Sequence, residues 1–121
     1  MVAFGERTTG VLGTDEGLIG AVLSASRTSG ESMWPLPITD EMGAAVRSST
    51  TADLRQHDPE PYGRTLDAAA FLRGFVGEVP CAHLDITGPS FNNGSAYDEI
   101  PSGETGVAVR TLVQLVRDMT S

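Results

Sequence analysis

The chain of 121 residues contains no lysine; all eight of its basic residues are arginines. A lysine base, a Schiff base or an ammonium clamp is therefore excluded for this chain by itself. It has one cysteine, Cys81, so it cannot form an intrachain disulfide, and it suits a reducing compartment. No apolar run approaches the ~20 residues of a membrane span. The N-terminus has no apolar h-region of the kind a signal peptide carries, so the cytoplasm is the expected location. Positive charge is scarce: 16 acids against 8 arginines leave a net charge of −8. That balance argues against nucleic acid and anionic membrane as partners, since both need basic patches. It also suits any acidic surface that simply keeps a protein in solution. No G-x-S-x-G elbow is present, the glycines near Gly5, Gly10 and Gly13 form no phosphate-binding fingerprint, and there are no internal repeats.

What remains is ordinary globular composition, 40% apolar and 20% charged, in a chain long enough for one domain at most. Pro80 to Gly88, P-C-A-H-L-D-I-T-G, reads as a strand. Ala82, Leu84 and Ile86 fall on one side, Cys81, His83, Asp85 and Thr87 on the other. Gly88-Pro89 stops it, and Thr87 to Phe91, just past a strand end, is the first place to look for a site.

Elsewhere, Val2-Ala3-Phe4 reads as a short strand and Arg7 to Gly13 as loop. Thr14 is placed to cap a helix over Asp15–Ser29, with Gly30 as its stop. Pro35 and Pro37 force Glu31–Ile38 to be extended, with Trp34 as a core anchor. Thr39 is placed to cap a short helix through Val46, and 48–64 reads as loop. Thr65–Val76 is a helix apolar nearly all round, hence buried or sandwiched. Pro89–Thr105 is a long loop with a turn at Asn92-Asn93-Gly94. Gly106–Met119 is the last helix, with Val109, Leu112, Val113 and Val116 inward, Ala108 and Leu115 beside them, and Arg110, Gln114 and Arg117 outward. The expected fold is α/β: a partial parallel or mixed sheet flanked by about four helices. Two strands cannot cover four helices, so sheet partners are expected outside this chain.

Few residues point to chemistry. His83 and Asp85 are neighbours on one strand face and could orient a base or join a metal site, but two ligands are not a site. A polar pair bonded across the sheet is the plainer reading. Cys81 begins a buried strand without an activator and reads as core. His57, beside Asp58 in a proline-flanked loop, reads as solvated. Asp15-Glu16 and Asp40-Glu41 begin helices, and Asp53 and Asp98-Glu99 lie in loops.

The strand A-H-L-D-I-T-G (82–88) resembles the A-H-L-D-I-A-G strand of the leucyl aminopeptidase (cytosol aminopeptidase) family. E-S-M-W-P-L-P-I (31–38), A-D-L (52–54), T-L-D-A-A-A-F-L (65–72) and T-G-V-A-V-R-T-L (105–112) resemble further segments of that family, in family order. Together they cover almost the whole chain, and they resemble only the C-terminal part of a longer enzyme's catalytic domain.

The resemblance implies a metalloexopeptidase that releases N-terminal residues from peptides. Two divalent ions, manganese or zinc, would activate the attacking water. The family holds those ions through V-G-K-G…F-D-T-G-G and N-T-D-A-E-G-R, and neither motif occurs here. No catalytic or metal-holding role is therefore carried onto any residue of this chain. Thr87 and Ser90 match positions that help line the pocket for the substrate's N-terminal side chain. Thr87 stands where alanine is common, which would narrow or polarise that pocket; Cys81 stands where tryptophan is common. The resemblance further implies a cytoplasmic homo-oligomer, commonly a hexamer, with the rest of the aminopeptidase chain as structural partner. Two other readings are an interaction module that binds a full-length subunit, and a stand-alone enzyme built on His83 and Asp85.

Overall fold

The computed structural model describes residues 4–38 and 64–120. The order of elements is β1 (Thr9–Gly13), α1 (Glu16–Ser29), β2 (Met33–Pro35), α2 (Arg64–Arg73), β3 (Ala82–Asp85), β4 (Phe91–Asn92), β5 (Gly103–Glu104) and α3 (Val109–Thr120). The helix expected over 39–46 lies outside the described residues, as do Met1 to Ala3 of the first expected strand; Phe4 lies in a turn.

The middle strand of the main sheet is β1, in the order β2-β1-β3. β1, α1 and β2 form a βαβ unit, with β2 parallel to β1 and Thr9 opposite Met33. β3 is antiparallel to β1, pairing Val11 with Leu84 and Leu12 with His83. The sheet is therefore mixed. This corrects one expectation, since 9–13 is a strand rather than loop; 82–85 is an outer strand of the described sheet. β1 is hidden in the sequence because Gly10 and Gly13 break its apolar pattern. Gly13 answers to crowding: a Cβ there would lie 2.8 Å from the Cys81 carbonyl oxygen and 2.9 Å from Ile19. Two backbones approach too closely at that point for any side chain.

Alternation along β1 sends Val11 and Leu12 to opposite faces, and both are fully buried. On Val11's side the core is Val11, Val22, Met33 and Ala108, packed by Leu18, Ile19, Leu23, Ala82, Leu84 and Leu115. α1 and α3 pack together, and α2 reaches β1 through a helix whose Ala69 and Ala70 are buried. Leu12 faces away from the α1 core.

Asp15, not Thr14, caps α1: its Oδ1 accepts from the Leu18 N–H at 2.8 Å. Thr14 is drawn away to β3, where its N–H donates to the Cys81 carbonyl and its hydroxyl accepts from the Cys81 N–H. Gly30 closes α1 in the left-handed conformation, φ 81°, as expected from its position.

α3 has no acidic residue in its first turn. Its cap comes from Glu31, which is buried. Glu31 Oε2 accepts from the Ala108 N–H at 2.8 Å, and Oε1 accepts from the Thr111 N–H at 2.8 Å and the Thr111 hydroxyl at 2.7 Å. The carboxylate thus satisfies donors that a helix start leaves open, where the helix dipole favours negative charge. Ser29 and Thr111 hydroxyls meet at 3.1 Å beside it.

These bonds set the rotation of α3, and they overturn the expected inward face. Ala108 and Thr111 are buried, whereas Val109, Leu112, Val113 and Val116 are exposed, Val116 at 60%. Arg110, expected outward, is half-buried and ion-paired with Glu99. Trp34 is also exposed, at 63%, on β2, an outer strand of the described sheet. α2 stops at Arg73, three residues short of the expected end, and Leu72 and Phe75 are exposed rather than buried.

Removing the cap tests this arrangement. Glu31→Ala leaves the buried N–H groups of Ala108 and Thr111 without an acceptor and is expected to destabilise the chain by about 3 kcal/mol. Glu31→Gln keeps an acceptor oxygen and is expected to cost about 1 kcal/mol. Urea unfolding followed by circular dichroism measures both, and equal stability of all three proteins would contradict the capping role.

Candidate functional site

The sequence directs attention to the end of β3, and the backbone there turns sharply over residues 87–90. Asp85 builds the turn. Its Oδ1 accepts from the Thr87 N–H at 3.0 Å and from the Thr87 hydroxyl at 2.7 Å, an Asx-turn arrangement. The Ser90 N–H donates to the Ile86 carbonyl at 2.9 Å, and the Ser90 carbonyl accepts from Thr105 at 3.1 Å. The Thr105 hydroxyl donates to the Pro89 carbonyl at 2.5 Å. Thr87 and Ser90, the two pocket candidates, therefore sit on one pinned turn, Thr87 exposed and Ser90 half-buried.

Gly88 and Pro89 are buried beneath it. A Cβ on Gly88 would overlap the Gly5 carbonyl oxygen and crowd Glu6 Cα at 3.3 Å. The glycine of A-H-L-D-I-T-G thus lets the turn lie directly on the backbone of residues 5–6.

Beyond the turn, the expected loop contains a two-stranded ribbon, Phe91 opposite Glu104 and Asn92 opposite Gly103. Asn92 holds the intervening segment, accepting from the Gly94 N–H and donating to the carbonyls of Ser95 and Pro101. The Arg7 guanidinium lies 3.8 Å from the centre of the Tyr97 ring. An open depression of about 570 Å³ lies alongside, lined in part by Arg7, Pro89, Tyr97, Glu99, Thr105 and Arg110. Three carboxylates line it: Glu31 caps α3, Glu99 pairs with Arg110, and Asp98 lies beside them.

His83 and Asp85 share the face of β3 that also carries the turn-forming contact, and both are half-buried. Asp85 serves the turn through Thr87. Cys81 is a free, half-buried thiol lying before β3, with its backbone tied to Thr14. His57 and Asp53 lie outside the described residues. Among the described residues, no three His, Cys, Asp or Glu side chains gather to hold a metal ion. Sequence reasoning missed Glu31, Asp85's role in the turn and the Arg7–Tyr97 stack. Only the Asp-x-Thr spacing carried a local signal; the other contacts join distant segments.

Gly88→Ala is expected to cost about 2–3 kcal/mol, because two backbones must separate. Thr87→Val, which loses one exposed hydrogen bond but keeps the backbone one, is expected to cost about 1 kcal/mol or less. Thermal unfolding of the two variants orders them; a stable Gly88→Ala protein would contradict the close approach.

With this geometry in hand, likeness to known proteins is informative. Residues 1–113 match the family model for the cytosol aminopeptidase catalytic domain. A probable cytosol aminopeptidase of Nocardia farcinica is 44% identical over 122 residues, covering all of this chain and 24% of that protein. One of Streptomyces coelicolor is 44% identical over 116 residues, covering 95% of this chain and 22% of that protein. The solved structure of the bottromycin maturation enzyme BotP in complex with Mn superposes with a TM-score of 0.93 at 40% identity, covering 99% of this chain and 26% of that one. The chain spans about a quarter of the length of these relatives. A mixed α/β fold, a match over almost every residue and the A-H-L-D-I-T-G turn together place the chain in the cytosol aminopeptidase family, as a part of its catalytic domain.

Proposed function

We propose that residues 1–121 are the C-terminal portion of the catalytic domain of a metal-dependent, leucyl-type aminopeptidase, which releases N-terminal amino acids from peptides. The observation that carries this is the proportion of the match: nearly all of this chain against about a quarter of each relative. The portion supplies core and one wall of the specificity pocket. Thr87 and Ser90 are the wall residues, held by the Asp85 turn. The Thr87 hydroxyl is already committed to Asp85, so the polar addition at this position is partly neutralised within the turn. A pocket that accepts medium-sized apolar side chains fits this arrangement better than strict selection for leucine.

Two divalent ions, manganese or zinc, would supply the activated water of such an enzyme. BotP, solved with Mn, supports manganese for the longer protein. The donors at hand do not fit those ions: the chain has no lysine and lacks both metal-holding motifs, and no donor cluster occurs among the described residues. We therefore assign the ions and the catalytic groups to the remainder of the longer enzyme, and the 121 residues by themselves to an inactive state. The parent would act in the cytoplasm on peptides, as a homo-oligomer, with the hexamer of the family as its form.

The exposed stripe on α3 favours a second reading, an interaction module that associates with a full-length aminopeptidase subunit. Co-elution with such a subunit would favour it.

Hydrolysis of leucine p-nitroanilide in the presence of manganese tests the first reading. The purified 121 residues are expected to give no release of nitroaniline above the buffer rate. Sustained turnover that is proportional to protein concentration would contradict it.

A further inference from the structure

The turn over residues 87–90 is held from two directions, and only one of them is local. Asp85 fixes Thr87, and the Ser90 N–H returns to the Ile86 carbonyl. Pro89 between them is buried and carries no N–H, so its carbonyl is the one backbone group through which it can be held. With the Ser90 N–H engaged, the Ser90 carbonyl is likewise left to find a donor elsewhere.

Both carbonyls go to one residue from the far end of the loop, Thr105. Its hydroxyl donates to the Pro89 carbonyl at 2.5 Å, and its N–H donates to the Ser90 carbonyl at 3.1 Å. The same hydroxyl oxygen accepts from the Val107 N–H at 3.3 Å. A hydroxyl has a single proton to give, and here it is directed at Pro89. Thr105 follows β5 directly, and the pairing of Phe91 with Glu104 sets it opposite Ser90. On its other side Gly106 takes φ 63° and the chain enters α3, whose start is capped by the buried Glu31. The brace is therefore itself tied to the core.

We infer that Thr105 is a positioning residue for the specificity pocket. By holding the Pro89 and Ser90 carbonyls it sets where the wall made by Thr87 and Ser90 stands against the substrate's N-terminal side chain. This rests on the reading of residues 1–121 as a portion of an aminopeptidase in which that turn is a pocket wall. Thr105 acts through Ser90 and not on the reacting atoms. A displaced wall loosens contact with a long side chain in the ground state and the transition state alike, so the effect falls on KM rather than on kcat. A short side chain that stops before the wall is indifferent to it.

The test uses a chimera in which this chain replaces the matching quarter of the Nocardia farcinica relative, with T105V and T105S made in it. T105V keeps the branched shape and the backbone N–H but removes the hydroxyl; T105S keeps the hydroxyl. T105V is expected to raise KM for leucine p-nitroanilide about fivefold, with kcat and the KM for alanine p-nitroanilide each changed by less than about twofold. T105S is expected to match the parent chimera on both substrates. An active chimera in which T105V leaves both KM values unchanged, or lowers kcat equally for the two substrates, would overturn the positioning role alone. A parent chimera without activity would contradict the fragment reading, and the pocket role of Thr105 with it. The isolated 121 residues supply a readout that needs no turnover. Amide hydrogen exchange at Ser90 is expected to quicken about tenfold in T105V and to recover in T105S. Equal exchange in all three proteins would overturn the brace.

Discussion

A buried carboxylate decides how the described part of this chain is assembled. Glu31 follows directly on the left-handed stop of α1 and leads into β2, yet its two oxygens close the first turn of a helix 77–80 residues further on. An ionised group out of water is costly unless its partners are in place. Here the partners are two backbone N–H groups and the Thr111 hydroxyl, at a helix end whose dipole favours negative charge. Turning α3 about its axis would pull these donors away from the carboxylate. The same bond set therefore ties α1, β2 and α3 together and fixes which side of α3 meets the core.

That rotation has a consequence for function. The small residues Ala108 and Thr111 are spent inward, and the large apolar residues of α3 are left outward. A chain that was meant to stand by itself would gain several kcal/mol by burying that stripe. Asp85, Thr87, Gly88 and Ser90 form a well-bonded turn, and no group of three His, Cys, Asp or Glu side chains gathers to hold a metal ion among the described residues.

The sequence made the strongly constrained segments legible. Pro35 and Pro37 dictated an extended chain, Gly30 marked the end of α1, and the alternation of Ala82, Leu84 and Asp85 gave the faces of β3 correctly. The rest depends on contacts between distant residues. β1 was obscured by Gly10 and Gly13, and the close approach that Gly13 permits is visible only once Cys81 and Ile19 are seen against it. Thr14 lost the cap to Asp15 because β3 competes for its hydroxyl. The α3 stripe was read as inward because amphipathic spacing reveals a face but not what that face meets. Trp34 was misjudged for the same reason: an aromatic beside two prolines can sit on an edge strand as well as in a core. At the end of β3 the sequence pointed to Thr87 and Ser90 but not to Asp85's part in the turn, and Glu31 and the Arg7–Tyr97 stack were missed because they join distant segments.

The account stands on one claim, that the groups which hold the catalytic ions lie outside these 121 residues. Electron paramagnetic resonance of aqueous manganese titrated with the purified chain tests this most directly, because protein-bound Mn²⁺ loses the sharp six-line signal of the free ion. The account predicts an undiminished signal at micromolar protein and metal. Stoichiometric loss of the signal, one or two ions per chain, would contradict it.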